Sequence, residues 1–129
     1  MAVSIVADKS KAFALRIVKL YNYLRAHKES VLSKQLLRSG TSIGANIAEG
    51  RYAQSKDDFA SKYGISLKEA SETLYWIELL LDAGLLPDTA SSRSIRTDCE
   101  ELIRILAASV KTAKPRNHGF SHSDCPTYS

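Results

Sequence analysis

Hydrophobic periodicity predicts an all-α protein, an antiparallel up-down four-helix bundle. Apolar residues recur at helical spacings of three and four in four separate segments, and nowhere does the chain alternate with the period of two that a strand needs. The connections between segments are short enough to make consecutive helices neighbours. A chain of 129 residues buries about two-thirds of the surface its unfolded form exposes, so the core needs neither metal nor disulfide. The pattern divides the chain into one bundle domain, 1–114, and a flexible C-terminal tail, 115–129.

From Ser10 to Lys28, Phe13, Ile17, Leu20 and Leu24 follow one another at spacings of 4, 3 and 4, with Leu15, Val18 and Tyr21 widening the stripe into an amphipathic helix. Ser30 is placed to cap a second helix carrying Leu32, Leu36, Gly40, Ile43 and Ile47, with Gly50 as its stop. Ser55 is the expected N-cap of the third, where Asp57 and Asp58 suit the positive end of the helix dipole. Its stripe is Tyr63, Leu67, Ala70, Leu74, Ile77 and Leu81. The span Lys56–Ala83 would be roughly 42 Å long at about 1.5 Å per residue, with a local bend at Gly64. "DAGLLPD" ends it. Residues 88–92, "DTASS", cap a fourth helix that buries Ile95, Cys99, Leu102, Leu106 and Val110 and stops before Pro115.

Charge adds a second pattern. The chain has 18 Lys+Arg against 14 Asp+Glu, a net +4 that permits nucleic-acid binding without demanding it. Residues 1–28 are net +5, with six basic groups against Asp8, whereas residues 55–84 are net −3, with three lysines against six acids. Either these segments are neighbouring helices paired across their polar edges, or they leave the molecule with one basic and one acidic face. No apolar run is long enough to cross a membrane, the N-terminus carries no export pattern, and two cysteines make a poor disulfide framework. The expectation is a cytoplasmic protein with a buried, inert Cys99.

The second helix poses the main puzzle, because each interior glycine costs a helix about 1 kcal/mol relative to alanine. Gly40, Gly44 and Ala48 fall at intervals of four, with Ser39, Ser42 and Ala45 beside them, so one strip has almost no side-chain bulk. Close approach of another helix would compensate; a smooth surface for a ligand or a nucleic-acid backbone is the rival reading.

The stretch "QLLRSGTSIGANIAEG" and its continuation "RYAQSKDDFASKYGISLKEASETLYWIELLLDAGLL" resemble the four-helix-bundle proteins encoded in 23S rRNA intervening sequences, over residues 12 to 113. That family is similar in fold to the accessory protein of diversity-generating retroelements. The resemblance implies a homopentamer with a basic surface and no enzymatic activity. Its pattern falls on Arg38, Ser42, Ile43, Asn46, Ala48, Glu49 and Gly50, and on Phe59, Ala70, Glu72 and the run around Trp76. Ile43 and Ala48 read as core; Asn46 and Glu49 would need partners if buried, such as Arg38 or a tyrosine hydroxyl. Many relatives have proline where this chain has Gly44.

No P-loop, Rossmann glycine pattern, HExxH or CxxC occurs, so no cofactor, metal or catalytic residue is expected. His118, His122, Asp124 and Cys125 read as solvated tail. Tyr75 and Trp76 are adjacent and cannot both face one core, which makes one of them a candidate subunit contact. Candidate phosphate contacts are Arg16, Lys19, Arg25, Arg38 and Arg51, for a structured RNA or DNA bound electrostatically or for a nucleic-acid-processing protein. The alternative is a scaffold that binds no nucleic acid. Convergence of Lys9, Arg16, Lys19 and Arg38 on one face would favour binding, and their pairing with Glu69, Glu72, Glu78 and Asp82 across the helix edges would favour the scaffold.

Overall fold

The computed structural model describes residues 2–113, with side chains from 5 to 112. They form four helices, α1 (Ala2–Ala26), α2 (Leu32–Gly50), α3 (Lys56–Asp82) and α4 (Ala90–Ala113), and no strand among the described residues. Each helix packs on two others: α1 on α2 and α4, and α3 on α2 and α4. The diagonal pairs α1/α3 and α2/α4 do not approach backbone to backbone among the described residues and meet only through core side chains. The basic and acidic segments are therefore not neighbours, and the pairing of one against the other within the chain is overturned. The tail expected from residue 115 lies outside the described residues, as do His118, His122, Asp124 and Cys125.

One core runs through the bundle. Phe13, Ile17, Leu20 and Leu24 meet Leu36, Ile43 and Ile47 from α2, Tyr63, Leu67, Ala70 and Ile77 from α3, and the whole predicted stripe of α4. Helix α1 is longer than its period suggested, beginning at Ala2, because Val6 and Ser10 continue the buried face for two more turns. It ends at Ala26 where Lys28 turns left-handed (φ 70°). Lys28 N–H donates to the Arg25 carbonyl and Glu29 N–H to the Leu24 carbonyl, the hydrogen-bond pair of a Schellman cap. Gly84 (φ 75°) closes α3 in the same way, through Leu85 N–H to the Leu80 carbonyl.

Two helix ends differ from the sequence reading. Ser30 does not cap α2: Val31 occupies that position in helical geometry, and the Glu29 carboxylate accepts from Ser33 N–H at 2.7 Å. Helix α2 does stop at Gly50 as expected, but not through a left-handed residue. Gly50 is the last buried residue of α2, Arg51 beyond it is still right-handed, and a Cβ on Gly50 would lie 2.8 Å from the Tyr63 ring. Ser55 caps α3 as expected, its hydroxyl accepting from Asp58 N–H at 3.0 Å. Helix α3 runs unbroken through Gly64.

The buried face of α3 also shifts. Ser66, Thr73 and Leu80 are buried, whereas the predicted Leu74 and Leu81 are half-buried. Ser66 donates to the Ile43 carbonyl and Thr73 to Ser39 Oγ, both at 2.8 Å, so α2 lies close enough to cover the side of α3 that carries the short polar residues. A close approach of α2 to α1 answers the glycine puzzle in part. A Cβ on Gly40 would sit 2.8 Å from Ile17 Cγ2, while Gly44 has ordinary room beside Ser10. Ala48, expected in the core, is exposed, because it falls past the α1 contact on the outer edge of α2.

Candidate functional site

Helical spacing puts Arg16, Lys19, Leu20 and Tyr23 on one edge of α1, at i, i+3, i+4 and i+7. They face the α3–α4 connection and the first turn of α4 across a cavity of ≈ 420 Å³, floored by Leu86 and Ile95 and edged by Thr89, Ser91 and Ser92. Arg16 donates from one guanidinium nitrogen to Asp98 Oδ2 at 2.7 Å and to Ser94 Oγ at 3.0 Å. Lys19 beside it is exposed and meets no carboxylate among the described residues. Of the five candidate cations, only these two share a cavity.

The other three are dispersed. Arg25 lies in the last turn of α1, 5.5 Å from the Tyr21 ring centroid. Arg51 lies beside the first turns of α1, in a shallow groove of ≈ 400 Å³ with Lys11 and the small residues Ala7, Ala14, Gly44, Ala45 and Ala48. That groove is the part of the small-residue strip that packing leaves open. Arg38 is on the α2–α3 edge and spans two carboxylates, donating to Glu69 Oε1 at 3.2 Å and to Glu72 Oε2. The Trp76 indole N–H donates to the same Glu72 oxygen at 2.9 Å. Pairing of Arg38 with Glu69 and Glu72, one of the two outcomes the sequence left open, is the one found, whereas Glu78 and Asp82 do not join it; that Trp76 completes the array was not foreseen. The alignment of these side chains across the seam depends on how α2 is set against α3, which no spacing within either helix records.

The remaining family-pattern residues have local partners. Ser42 donates to the Arg38 carbonyl (2.7 Å) and Asn46 to the Ser42 carbonyl (2.9 Å). Glu49 is exposed and accepts from Lys62 Nζ at 2.8 Å, so neither Arg38 nor a tyrosine hydroxyl is its partner. That hydrogen bond and charge hold the Lys62 ammonium above its ordinary range. Ile43 is fully buried, as expected.

Lys9 bonds Glu101 Oε1 at 3.2 Å. Of the four cations whose convergence would favour binding, Lys9, Arg16 and Arg38 are thus held in ion pairs, and they lie on two different seams. Burial, helped by Glu100 and Glu78, pushes the Cys99 thiol up to about 12, and its S–H donates to the Ala70 carbonyl. Such a thiol is inert at neutral pH. The Tyr63 hydroxyl is buried with no partner among the described residues.

Apolar residues also break the surface. Leu15 (58% exposed) and Val18 stand on the outward side of α1, and Tyr75 (57%) and Ile65 on that of α3. Trp76 is half-buried against the core, which leaves Tyr75 as the free aromatic of the pair.

Residues 3–108 match the family model described as 23S rRNA-intervening sequence protein. The crystal structure of a protein of unknown function from the S23 ribosomal protein family, from Bacteroides thetaiotaomicron VPI-5482, is similar with a TM-score of 0.82 and 49% identity. The match covers 86% of this chain and 99% of that one. No curated protein matches the chain.

Proposed function

The chain belongs to the 23S rRNA-intervening sequence protein family, and from that premise we propose that it acts without catalysis, as a cytoplasmic homopentameric scaffold of four-helix bundles. The observation that carries this reading is the contrast between neutralised charge and uncovered apolar surface. Lys9, Arg16 and Arg38 are tied to carboxylates within the chain, while Leu15 and Tyr75 stand out of two helices with nothing over them. Covering the exposed half of each such side chain gains about 1–2 kcal/mol. An antiparallel up-down topology fits the contacts, since partners rise in number on one helix and fall on the next: Ile17 with Gly40 and Ser10 with Gly44, then Ser39 with Thr73 and Ile43 with Ser66. The unreactive Cys99 thiol fits a protein that binds rather than transforms, and a free thiol fits a reducing compartment. Light scattering at micromolar concentration tests the reading: five chain masses support it, and one chain mass refutes it.

A second reading, electrostatic binding of structured RNA or of a ribonucleoprotein, is favoured by Lys19, Arg25 and Arg51. All three are exposed and meet no carboxylate among the described residues. Five copies of a chain of net charge +4 would carry about +20. One phosphate contact per subunit gives a slope of roughly −3.5 to −4.5 in log K against log salt. A salt titration that shows no slope, with binding unchanged in Lys19→Glu, would leave the scaffold alone.

A further inference from the structure

The two diagonal helices, α1 and α3, whose backbones do not approach each other among the described residues, are also the two between which the sequence divides its charge. Once the side chains tied in ion pairs are set aside, the α1 segment keeps Lys11, Lys19, Arg25 and Lys28 against Asp8. The α3 segment keeps Asp57, Asp58, Glu78 and Asp82 against Lys56 and Lys68, and its Glu69 and Glu72 share the one guanidinium of Arg38. A basic face and an acidic face therefore look out from opposite sides of the bundle. Each carries large apolar residues among its charges: Leu15 and Val18 on one, Ile65 and Tyr75 on the other.

We propose that the outward face of α1 docks against the outward face of α3 of the next copy, head to tail. The proposal rests on the homo-oligomeric reading and adds which surfaces meet. Charge selects this pairing over its rivals, because α1 against α1 would oppose Lys11, Lys19 and Arg25 to their own copies, whereas α1 against α3 is attractive. Length suits it too: at 25 and 27 residues the two helices are each about 40 Å long, room for a contact of the order of 800 Å² per partner. Since the two faces differ and lie on opposite sides, every copy offers both, and the contact repeats until a ring closes or a filament grows. A closed ring of five is one such outcome, and an odd number of subunits presents no difficulty for a contact that is not self-complementary.

The test uses two exposed positions, one per face: Leu15→Glu and Tyr75→Lys. Each places in the proposed contact a charge of the same sign as the face it would meet, without touching the core, and helical content by circular dichroism checks that each still folds. If either does not, Val18→Glu or Ile65→Lys replaces it. The proposal predicts that wild type has a multiple-chain mass and that each variant alone falls to one chain. Mixed, the two variants should form a dimer of one copy of each, because the intact α1 face of one meets the intact α3 face of the other. A single-chain mass for wild type would sink the homo-oligomeric reading itself. An assembled wild type with both variants still assembled, with only one variant dissociated, or with a mixture that stays at one chain would overturn the head-to-tail pairing alone.

Discussion

The α2–α3 seam and the α1–α4 seam are built by opposite means. The first is closed by short side chains that bond across it: Thr73 to Ser39, Ser66 to the Ile43 carbonyl, and the ring of Tyr63 against the bare backbone of Gly50. On its outer edge Arg38 clamps Glu69 and Glu72, and Lys62 clamps Glu49. The polar contacts of the α1–α4 seam lie at its rim among the described residues: the Lys9–Glu101 pair and half-buried Arg16, which bonds Asp98 and Ser94. Two cavities open along this seam, one lined by Arg16, Lys19 and Tyr23 and the other by Lys9, Phe13 and Asp98. A loop joins the first pair of helices; the second pair lies at the two ends of the chain. Of the residues that the family resemblance picks out, Arg38, Ile43, Glu49, Gly50 and Glu72 lie on or beside the tight seam, and Gly50 answers to packing, its bare backbone against the Tyr63 ring.

Substitution at the tight seam should be costly. Gly50→Ala would gain about 1 kcal/mol of helix propensity, but its Cβ would meet the buried Tyr63 ring at 2.8 Å. That ring is stacked on Phe59 and cannot withdraw. Overpacking of this kind costs about 1–3 kcal/mol, so urea unfolding should show a net loss of stability. Gly44→Ala, whose Cβ would find only ordinary contacts beside Ser10, should instead gain up to about 1 kcal/mol. Equal effects at the two glycines would dissolve the contrast.

Next in size is Thr73→Val, which keeps the shape of the side chain and removes the hydroxyl bonded to Ser39. Leaving Ser39 Oγ without this donor inside the seam should cost about 1–2 kcal/mol, read as a lower urea midpoint with an unchanged slope. At the open end of α1, Lys28→Gly should stabilise by about 1 kcal/mol, because lysine holds a left-handed conformation that glycine adopts freely. A lower melting temperature would show that Lys28 contributes something its backbone does not reveal. The smallest effects belong to the α1–α4 seam. Lys9→Ala, which removes one rim ion pair, and Arg16→Ala, which removes a half-buried pair and its bond to Ser94, should each cost about 1 kcal/mol or less, and less still at high salt. A loss as large as that at Gly50 would mean that the open seam is held as firmly as the closed one.

Legibility in the sequence followed the same division. The α4 stripe was readable because all five of its apolar positions face the core, and a hydrophobic residue at a heptad position has little else to do. Ser66 and Thr73 were not readable: a polar side chain scans as surface until a partner across the seam is known. Gly50 scanned as a stop because glycine often ends helices with a left-handed residue, yet here the missing Cβ matters and the backbone angle does not. The left-handed residue of α1 is Lys28, which carries no such signal. Among the candidate contacts, the spacing of Arg16 and Lys19 placed both on one edge of α1. Glu69 and Glu72 were legible as carboxylates able to hold Arg38 across a helix edge, but nothing in α1 or α4 alone announced that Asp98 would hold Arg16.

The mass of the wild-type chain in solution bears most directly on the central claim, that the uncovered faces of α1 and α3 exist to be covered by further copies. Sedimentation velocity at low salt and at about 1 M salt, where screening shrinks the Debye length to about 3 Å, should give one boundary of five-chain size. That boundary should survive at high salt, because Leu15 and Tyr75 supply an apolar contact that salt does not screen. A single-chain boundary at both salts would contradict the account.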